Sequence, residues 1–279
     1  MWVLYWMRDL PAKIIHLHHG GSTMRIISRL AGAQVVIQHV HNRVDESSGS
    51  VVARMLFRGA DAVIACSQTV ADTVTGCRPY VIYAGIEAAP KRPTKCAGAG
   101  PLSFGVLTRL IAIKKVEAVI DASSRLKRMG TEIQVHIAGS GLPESGLKAL
   151  AGILTVGDRV HFLGWQTELR KLLDSWDPLV MPSLDEGLPN AALEAWRQVF
   201  RLWQAPLGEH QNLSLTGLPR LFPAADTDSM VRCIRELAGN REIRARMGYE
   251  ALRRAESEFS AEKMASQIAD LYDRLLKCV

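Results

Sequence analysis

A chain of 279 residues with 48% hydrophobic and 22% charged residues has the composition of an ordinary packed protein with room for two modest domains, which excludes a largely disordered chain. The net charge is +6, and residues 1–100 carry 11 Lys and Arg against 6 Asp and Glu, so the basic excess lies in the first third. Such a surface attracts phosphorylated ligands, anionic lipid or nucleic acid, or it only keeps the protein soluble, and both interpretations stay open.

Segment lengths and cysteine spacing exclude further classes of protein. Polar residues interrupt every apolar stretch well before the ~20 residues of a transmembrane helix, and the apolar start is followed by Arg8 and Asp9 rather than by a cleavage site. The five cysteines are scattered, with neither a CxxC nor a metal-ligand spacing. The sequence therefore predicts a cytoplasmic protein with reduced thiols, without structural zinc and without a nucleic-acid-binding motif.

From Lys13 onward, short β-branched runs alternate with helix-length segments. The runs KIIHLH, QVVIQHVH and DAVIACS are typical of buried parallel strands, and MRIISRLAG between the first two is typical of a crossover helix. Residues 87–101 are rich in Pro, Ala, Gly and Lys and lack apolar periodicity, which favours a linker. Residues 1–86 are thus predicted to form a first α/β domain.

A second α/β cycle follows the linker, and we assign it to residues 102–258. From Arg241 to Leu276 the pattern is helical with a break at Ser260, which leaves residues 259–279 as a C-terminal helix. In doubly wound sheets of this kind, ligands bind beyond the carboxyl ends of the strands. The predicted elements of the cycle are, in order, the strand LSFGVL, the helix VEAVIDASSRLKRMG, the strand IQVHIAG, the helix ESGLKALAGIL, and the strands RVHFLG and LVMPS.

The most specific motif is MPSLDEGLPNAALEAW, at residues 181–196. A strand ends at a turn before Glu186, Gly187 allows close approach of the backbone, and a helix that starts near Pro189 carries Glu194. Both carboxylates can then face a ligand at the helix N-terminus, where free N–H groups favour phosphate or hydroxyl oxygens. For two isolated acids, one capping and one solvated glutamate would be the simpler interpretation.

The residues around these acids resemble the E-x7-E signature of retaining glycosyltransferases with the GT-B fold, in particular glycosyltransferase family 4. The resemblance implies an α/β fold of two Rossmann-like doubly wound domains, of which the N-terminal one is incomplete, because the family's first strand and glycine-rich loop have no counterpart before IIHLHH. Other segments resemble the family in the same order, namely IIHLHHGG, VVIQHVH, VIYAGIE, FGVLTRLIAIKK, IAGSG and VHFLGW.

The resemblance also implies which residues bind the substrates. Arg109 and Lys114 would hold the donor diphosphate, a role that suits fixed cations where charge builds up on a leaving group. Glu194 would accept hydrogen bonds from ribose hydroxyls, and Glu186 would contact the transferred sugar as a catalytic residue. The remaining implied substrate-binding positions are Gly139, Gly141, Gly187, Leu188 and Pro189.

A histidine is also implied near the reacting centre. His41 is the match, with His39 as the alternative, and for either one a histidine with a purely structural role is the simpler interpretation. No metal and no other cofactor are expected, because arginine and lysine take the metal's role in this family and no DxD pair lies in a plausible turn. The implied partners are a nucleotide-sugar donor and a glycan or lipid-linked acceptor, with peripheral contact between the basic N-terminal half and the inner face of a membrane.

Two segments depart from the family pattern. Thr108 and Lys115 stand where the family has glycines. After Ala195 the family has a buried strand and a diglycine turn, whereas residues 196–212 contain two tryptophans and three basic groups. When the last base of each codon is taken with the first two of the next, the shifted codons permit the family residue again and again, so we predict a frameshift across about residues 196–217.

The sequence therefore predicts a retaining glycosyltransferase of the hexosyltransferase type, which acts in polysaccharide biosynthesis. A charged segment in place of a central strand predicts weak or no activity, with that segment looped out or locally disordered. Three alternatives stay open. They are a non-catalytic nucleotide-sugar-binding remnant such as a pseudogene product, another GT-B enzyme such as a nucleotide-sugar epimerase, and a basic membrane- or nucleic-acid-binding module.

Overall fold

The chain divides into two compact units in a computed structural model. The first unit comprises Met1–Glu87 and Glu258–Val279, and the second comprises Ala88–Ser257. Each contains a sheet in which all strands are parallel, with helices in the connections, and this confirms the predicted α/β class. The structure describes residues 12–18, 21–44, 57, 59–87, 100–184, 201–204 and 226–279.

The first unit is built on a four-stranded sheet in the order β1-β2-β3-β4. Its inward side chains are β-branched or small, and Val35, Ile37 and Ile64 are fully buried in its core. β2 and β3 are buried along nearly their whole length, which explains why most of their residues are apolar. The elements are β1 (Ile14–Leu17), α1 (Gly21–Leu30), β2 (Val35–Val40), β3 (Ala62–Ala65), α2 (Gln68–Thr73) and β4 (Tyr80–Val81).

The C-terminal helix also belongs to the first unit. It places Leu271 in the same apolar core as β2 and β3. The helix starts where the sequence predicted, because the Ser260 hydroxyl accepts a hydrogen bond from the backbone N–H of Lys263 at 3.1 Å. The chain before it is held by two backbone hydrogen bonds, from Ile86 to the carbonyl of Phe259 (2.8 Å) and from Ala261 to the carbonyl of Ile86 (2.9 Å).

The second unit is built on a five-stranded sheet in the order β7-β6-β5-β8-β9. The chain adds β6 and β7 on one side of β5, and β8 and β9 on the other. The carboxyl end of β5 is therefore the switch point where doubly wound sheets bind ligands. The elements of this unit are β5 (Leu102–Leu107), α3 (Val116–Arg128), β6 (Ile133–Ala138), α4 (Glu144–Ile153), β7 (Val160–Gly164), α5 (Leu169–Ser175), β8 (Pro178–Met181), β9 (Arg201–Gln204), α6 (Thr227–Gly239) and α7 (Arg241–Glu258). The C-terminal helix of the first unit is α8 (Ala261–Leu276).

The central strand of this sheet is packed tightly on both faces. Phe104 and Val106 of β5 lie in the main core of the unit. Between them, Gly105 leaves room for the indole of Trp176, since a Cβ at that position would lie 1.9 Å from the ring. Helices α3 and α6 bury Ile120 and Ile234 in the same core. This packing fixes the carboxyl end of β5, from which the candidate site extends.

The segment predicted to be looped out contributes a strand. Arg201–Gln204 forms β9 and pairs in parallel with β8, with Leu202 opposite Leu179 and Gln204 opposite Met181. For these four residues the prediction of a looped-out or disordered segment was wrong. The physical reason is that ladder hydrogen bonds come from the backbone, so an unusual sequence can still pair with β8. The rest of residues 196–217 lies outside the described part of the chain.

Among the described helices, none combines the length and the apolar character required to cross a membrane.

Candidate functional site

Three loops meet at the carboxyl end of the sheet in the second unit. The loop after β5 is joined to the loop after β6 by two backbone hydrogen bonds, from Thr108 to the carbonyl of Ala138 and from Leu110 to the carbonyl of Ser140, both 3.0 Å. The loop after β8 joins them through the N–H of Leu184, which donates to the carbonyl of Ile113 at 2.9 Å. The ends of three neighbouring strands therefore present one continuous backbone surface.

The two predicted glycines are what allow the loops to come this close. Gly139 has a φ of 137°, and a Cβ there would lie 1.8 Å from the carbonyl oxygen of Thr108. At Gly141 a Cβ would lie 2.0 Å from the carbonyl oxygen of Leu110. No side chain fits at either position without displacement of backbone. Their first role is thus to seat the loop that carries Arg109.

Arg109 and Lys114 lie at the two ends of that loop. Arg109 is exposed, and its guanidinium makes no ion pair or hydrogen bond within the described residues. Lys114 is half-buried and ends a 3-10 turn, Ala112–Lys114, which leads into α3. An exposed guanidinium without a partner among the described residues is suited to bind phosphate oxygens.

Lys115 shows the cost of one departure from the family pattern. Its φ is 49°, in the left-handed region, where a glycine is free of the steric penalty that a side chain incurs. Its ammonium group pairs with Glu117 at 3.3 Å, at the start of α3. A glycine at this position, as in the family that the sequence resembles, would avoid this penalty.

The described residues end at Leu184, just before the two glutamates of the acidic motif. Leu184, held by Ile113, is two residues before Glu186, so the segment that leads to this acid is fixed beside the Lys114 turn. The predicted site residues Glu186, Gly187, Leu188, Pro189 and Glu194 lie outside the described residues. The hydrogen bond between Leu184 and Ile113 was not foreseen, because nothing in a sequence marks which backbone groups of two distant loops will pair.

A DxD triplet is present in the chain and has a structural role. Asp226 caps helix α6, where its carboxylate accepts from the N–H of Ser229 at 2.9 Å and from the hydroxyl of the same residue at 2.6 Å. These hydrogen bonds lower the pKa of Asp226. Asp228 pairs with Arg125 of α3. Both carboxylates are therefore engaged in fixing the start of α6.

The first unit contains a cluster of four histidines at the ends of β1 and β2. The ring of His41 lies 4.3 Å from that of His39, centroid to centroid, and its Nε2 is 2.9 Å from Nδ1 of His18. His16 completes the cluster, with its Nδ1 2.7 Å from the hydroxyl of Tyr272 on α8. Only His41 and His39 were predicted as site residues. The H-x-H spacing on both strands is the signal that could have identified His16 and His18, because residues two apart on a strand share a face.

Burial makes two of these imidazoles, those of His16 and His39, poor bases. It lowers the pKa of His39 to about 3 and that of His16 to about 4, and the neighbouring histidines add to the effect. Both ring nitrogens of His39 and Nε2 of His16 are buried and have no hydrogen-bond partner within the described residues. An unsatisfied buried polar group costs about 1–3 kcal/mol. His16 and His39 are therefore uncharged at neutral pH, and each has at least one buried ring nitrogen without a partner in the described part of the chain.

Comparison with known proteins identifies the second unit. Residues 102–240 match the family model described as "Glycosyl transferases group 1". The lipopolysaccharide core biosynthesis glycosyltransferase LpsE of Rhizobium meliloti is 28% identical over 169 residues, which are 60% of this chain and 47% of that protein. The D-inositol 3-phosphate glycosyltransferase of Streptomyces coelicolor is 30% identical over 176 residues, 58% of this chain and 36% of that protein.

The fold is shared with solved structures. Anabaena HepE, in complex with UDP and glucose, has a TM-score of 0.83 at 19% identity, with 98% of this chain and 80% of that one covered. Sucrose-phosphate synthase of Thermosynechococcus elongatus has a TM-score of 0.79 at 17% identity, with 99% and 76% covered. The chain spans about half the length of the first curated relatives that it matches, from 43% to 55%.

Proposed function

Because residues 102–240 match the group 1 glycosyl transferase family and the fold is shared with HepE, we propose that this chain moves a sugar from a nucleotide-diphosphate sugar to a glycan or lipid-linked acceptor, with retention of configuration at the transferred carbon. The observation that carries this proposal is the junction of three loops at the carboxyl end of the sheet, where Leu184 N–H meets the carbonyl of Ile113. It brings the arginine–lysine loop and the lead-in to the acidic motif to the same edge.

The proposed chemistry depends on charge. Cleavage of the bond between sugar and diphosphate leaves negative charge on the leaving group and an oxocarbenium-like centre on the sugar. Arg109 and Lys114 would stabilise the diphosphate without a divalent metal ion. Glu194 would hold the ribose and Glu186 the transferred sugar, with His41 near the reacting centre as a further proposed role.

The relatives' names support the proposed donor and the proposed acceptor. A structural neighbour was solved with UDP and glucose, which supports a UDP-sugar as donor. A relative named for lipopolysaccharide core biosynthesis supports a glycan or lipid-linked acceptor. The basic first third of the chain supports peripheral contact with an anionic membrane where such an acceptor lies.

Calorimetric titration with UDP tests the donor site. We expect UDP to bind, and we expect Arg109→Ala to weaken binding by about 10- to 100-fold, since a hydrogen bond to a charged group contributes roughly 1.5–3 kcal/mol. Arg128→Ala is the matched control, because Arg128 is also exposed but lies in the last turn of α3, at the end away from the Arg109 loop. Equal affinities for the two variants, or no binding by the wild type, would contradict the proposed donor site.

A turnover assay then separates enzyme from remnant. UDP-glucose and an acceptor such as a lipid-linked glycan are supplied, and the product's anomeric configuration is read by NMR. Transfer with retention supports the enzyme. UDP binding without transfer supports the non-catalytic remnant, for which the charged segment around β9 is the specific observation. Release of free sugar in the absence of acceptor supports an epimerase-type or hydrolytic enzyme.

A further inference from the structure

The four histidines of the first unit form two H-x-H pairs on neighbouring parallel strands. The last paired positions of β1 and β2 are Leu17 and Gln38, and His18 and His39 follow them directly. Side chains two residues apart on a strand point to the same side. The imidazoles of the two strands therefore lie together at the carboxyl edge of the sheet, where α/β sheets bind ligands.

We propose that His16, His18 and His39 bind one divalent transition-metal ion of the class that prefers imidazole, such as Zn²⁺. One ligand atom from each of the three lies within 4.8 Å of the others. Tetrahedral zinc with nitrogen ligands at ~2.0–2.1 Å separates those nitrogens by about 3.3 Å, so rotation of the rings about their side-chain torsions completes the site.

Among the three histidines, His39 gives the strongest indication of a bound ligand. Its side chain is 4% exposed, and neither ring nitrogen has a hydrogen-bond partner within the described residues. A buried imidazole normally finds a partner for at least one nitrogen. A metal ion bonded to a ring nitrogen would supply that partner and would relieve the unsatisfied buried group.

The other two ligands already have the supporting contacts that metal-bound histidines have. Nδ1 of His16 is held by the hydroxyl of Tyr272 at 2.7 Å, while its Nε2 is buried without a partner and available. Nδ1 of His18 is held by His41 at 2.9 Å, which leaves its Nε2 for the ion. A hydrogen bond to one ring nitrogen fixes the tautomer and orientation, so that the other presents its lone pair to the metal.

The test is calorimetric titration of the full-length, tag-free protein with Zn²⁺ after removal of bound metal with a chelator. Titration with Co²⁺ alongside it reports tetrahedral coordination through visible absorption bands. We expect one ion per chain. We expect His18→Gln, at an exposed position, to weaken Zn²⁺ binding at least about tenfold, and His39→Phe to abolish it.

His161→Gln is the matched control, because His161 lies beside His136 in the second unit and forms a histidine pair outside the cluster. It should bind Zn²⁺ as the wild type does. The proposal is overturned if the wild type takes up no ion, or if His18→Gln binds as tightly as the control. Circular dichroism checks that the variants fold, and because His18 is exposed, its variant keeps the test decisive even if His39→Phe does not fold.

Discussion

Single glycines and histidines determine how the two candidate sites are built. Position 139 requires glycine, because its backbone lies against the carbonyl of Thr108 and has a φ that residues with side chains rarely adopt. His39 is buried at the end of a strand among other imidazoles rather than in a polar environment. Each residue therefore has a consequence that can be measured by itself.

Gly139→Ala tests the close approach of the loops. The added Cβ would lie 1.8 Å from the Thr108 carbonyl oxygen, so the backbone of the Arg109 loop must move, at a cost of roughly 1–3 kcal/mol in unfolding free energy. We expect a lower thermal midpoint and UDP affinity reduced at least about tenfold. Gly146→Ala in α4 is the control, because nothing lies within 4 Å of its Cβ and alanine favours the helix. Wild-type UDP affinity in Gly139→Ala would contradict the expectation.

The histidine cluster predicts a stability that falls in mild acid. Histidine has a pKa of 6.5 in the unfolded chain, whereas in the folded protein the pKa of His16 is about 4 and that of His39 is about 3. Between these values the unfolded state binds more protons, so this stability is fully present above pH 6.5 and is lost as the pH falls through the folded pKa values. The slope approaches ~1.4 kcal/mol per pH unit for each proton.

Urea unfolding of metal-free protein at several pH values measures this slope. We expect the unfolding free energy of His39→Phe to fall less steeply than that of the wild type between pH 6.5 and roughly 4.5, because the variant lacks one of the two histidines with a lowered pKa. A wild-type stability that is constant over this range would show that the two rings titrate normally in the folded state.

At the scale of elements, β9 is the strand with the least expected sequence. Its residues Arg201–Gln204 pair with β8 at the edge of the sheet, in the segment where the family has an apolar strand. Backbone pairing tolerates this, since ladder hydrogen bonds do not depend on side chains. Residues 227–239 on its C-terminal side form α6 and reach the core through Met230 and Ile234, so the fold resumes after the altered segment.

The frameshift hypothesis is tested on the gene. We expect its DNA, read one base upstream of the present frame over codons 196–212, to encode an apolar strand followed by a diglycine turn of the family type. The same shifted reading over codons 102–140 serves as control and should encode no family-like segment. Absence of the strand from the shifted frame would show that the departure is not a frameshift.

At the scale of the whole molecule, the chain ends in the unit where it begins. Helix α8 packs Leu271 into the core of the first sheet, and Met264, Ile268 and Tyr272 lie against the same core. The chain thus leaves the second unit and returns, through the backbone bridge between Ile86 and Ser260. The first unit depends on residues at both ends of the sequence.

Deletion of residues 259–279 tests this dependence. Removal of α8 exposes Val35, Ile37 and Ile64, and each large apolar side chain that loses its burial costs about 1.5–3 kcal/mol. We expect one of two unfolding transitions to disappear in chemical denaturation followed by circular dichroism. Deletion of residues 277–279 alone removes only exposed residues and should leave both transitions. Two intact transitions in the longer deletion would contradict the role of α8.

The sequence by itself determined the α/β class, the strands β1, β2, β3 and β5 to β8, the cap at Ser260 and the match of residues 102–240 to the group 1 glycosyl transferases, because apolar periodicity, turn chemistry and short motifs are local signals. It also selected Gly139 and Gly141, although by resemblance and without their reason. The close contact that requires them, with Thr108 and Leu110, arises only when two strands are paired.

Only the tertiary structure decided the rest. The bond between Leu184 and Ile113, the return of α8 to the first unit and the convergence of four histidines join residues that are far apart along the chain. Such contacts depend on strand order and register, which no local pattern encodes. For the same reason β9 was missed, since its pairing with β8 is made by backbone groups.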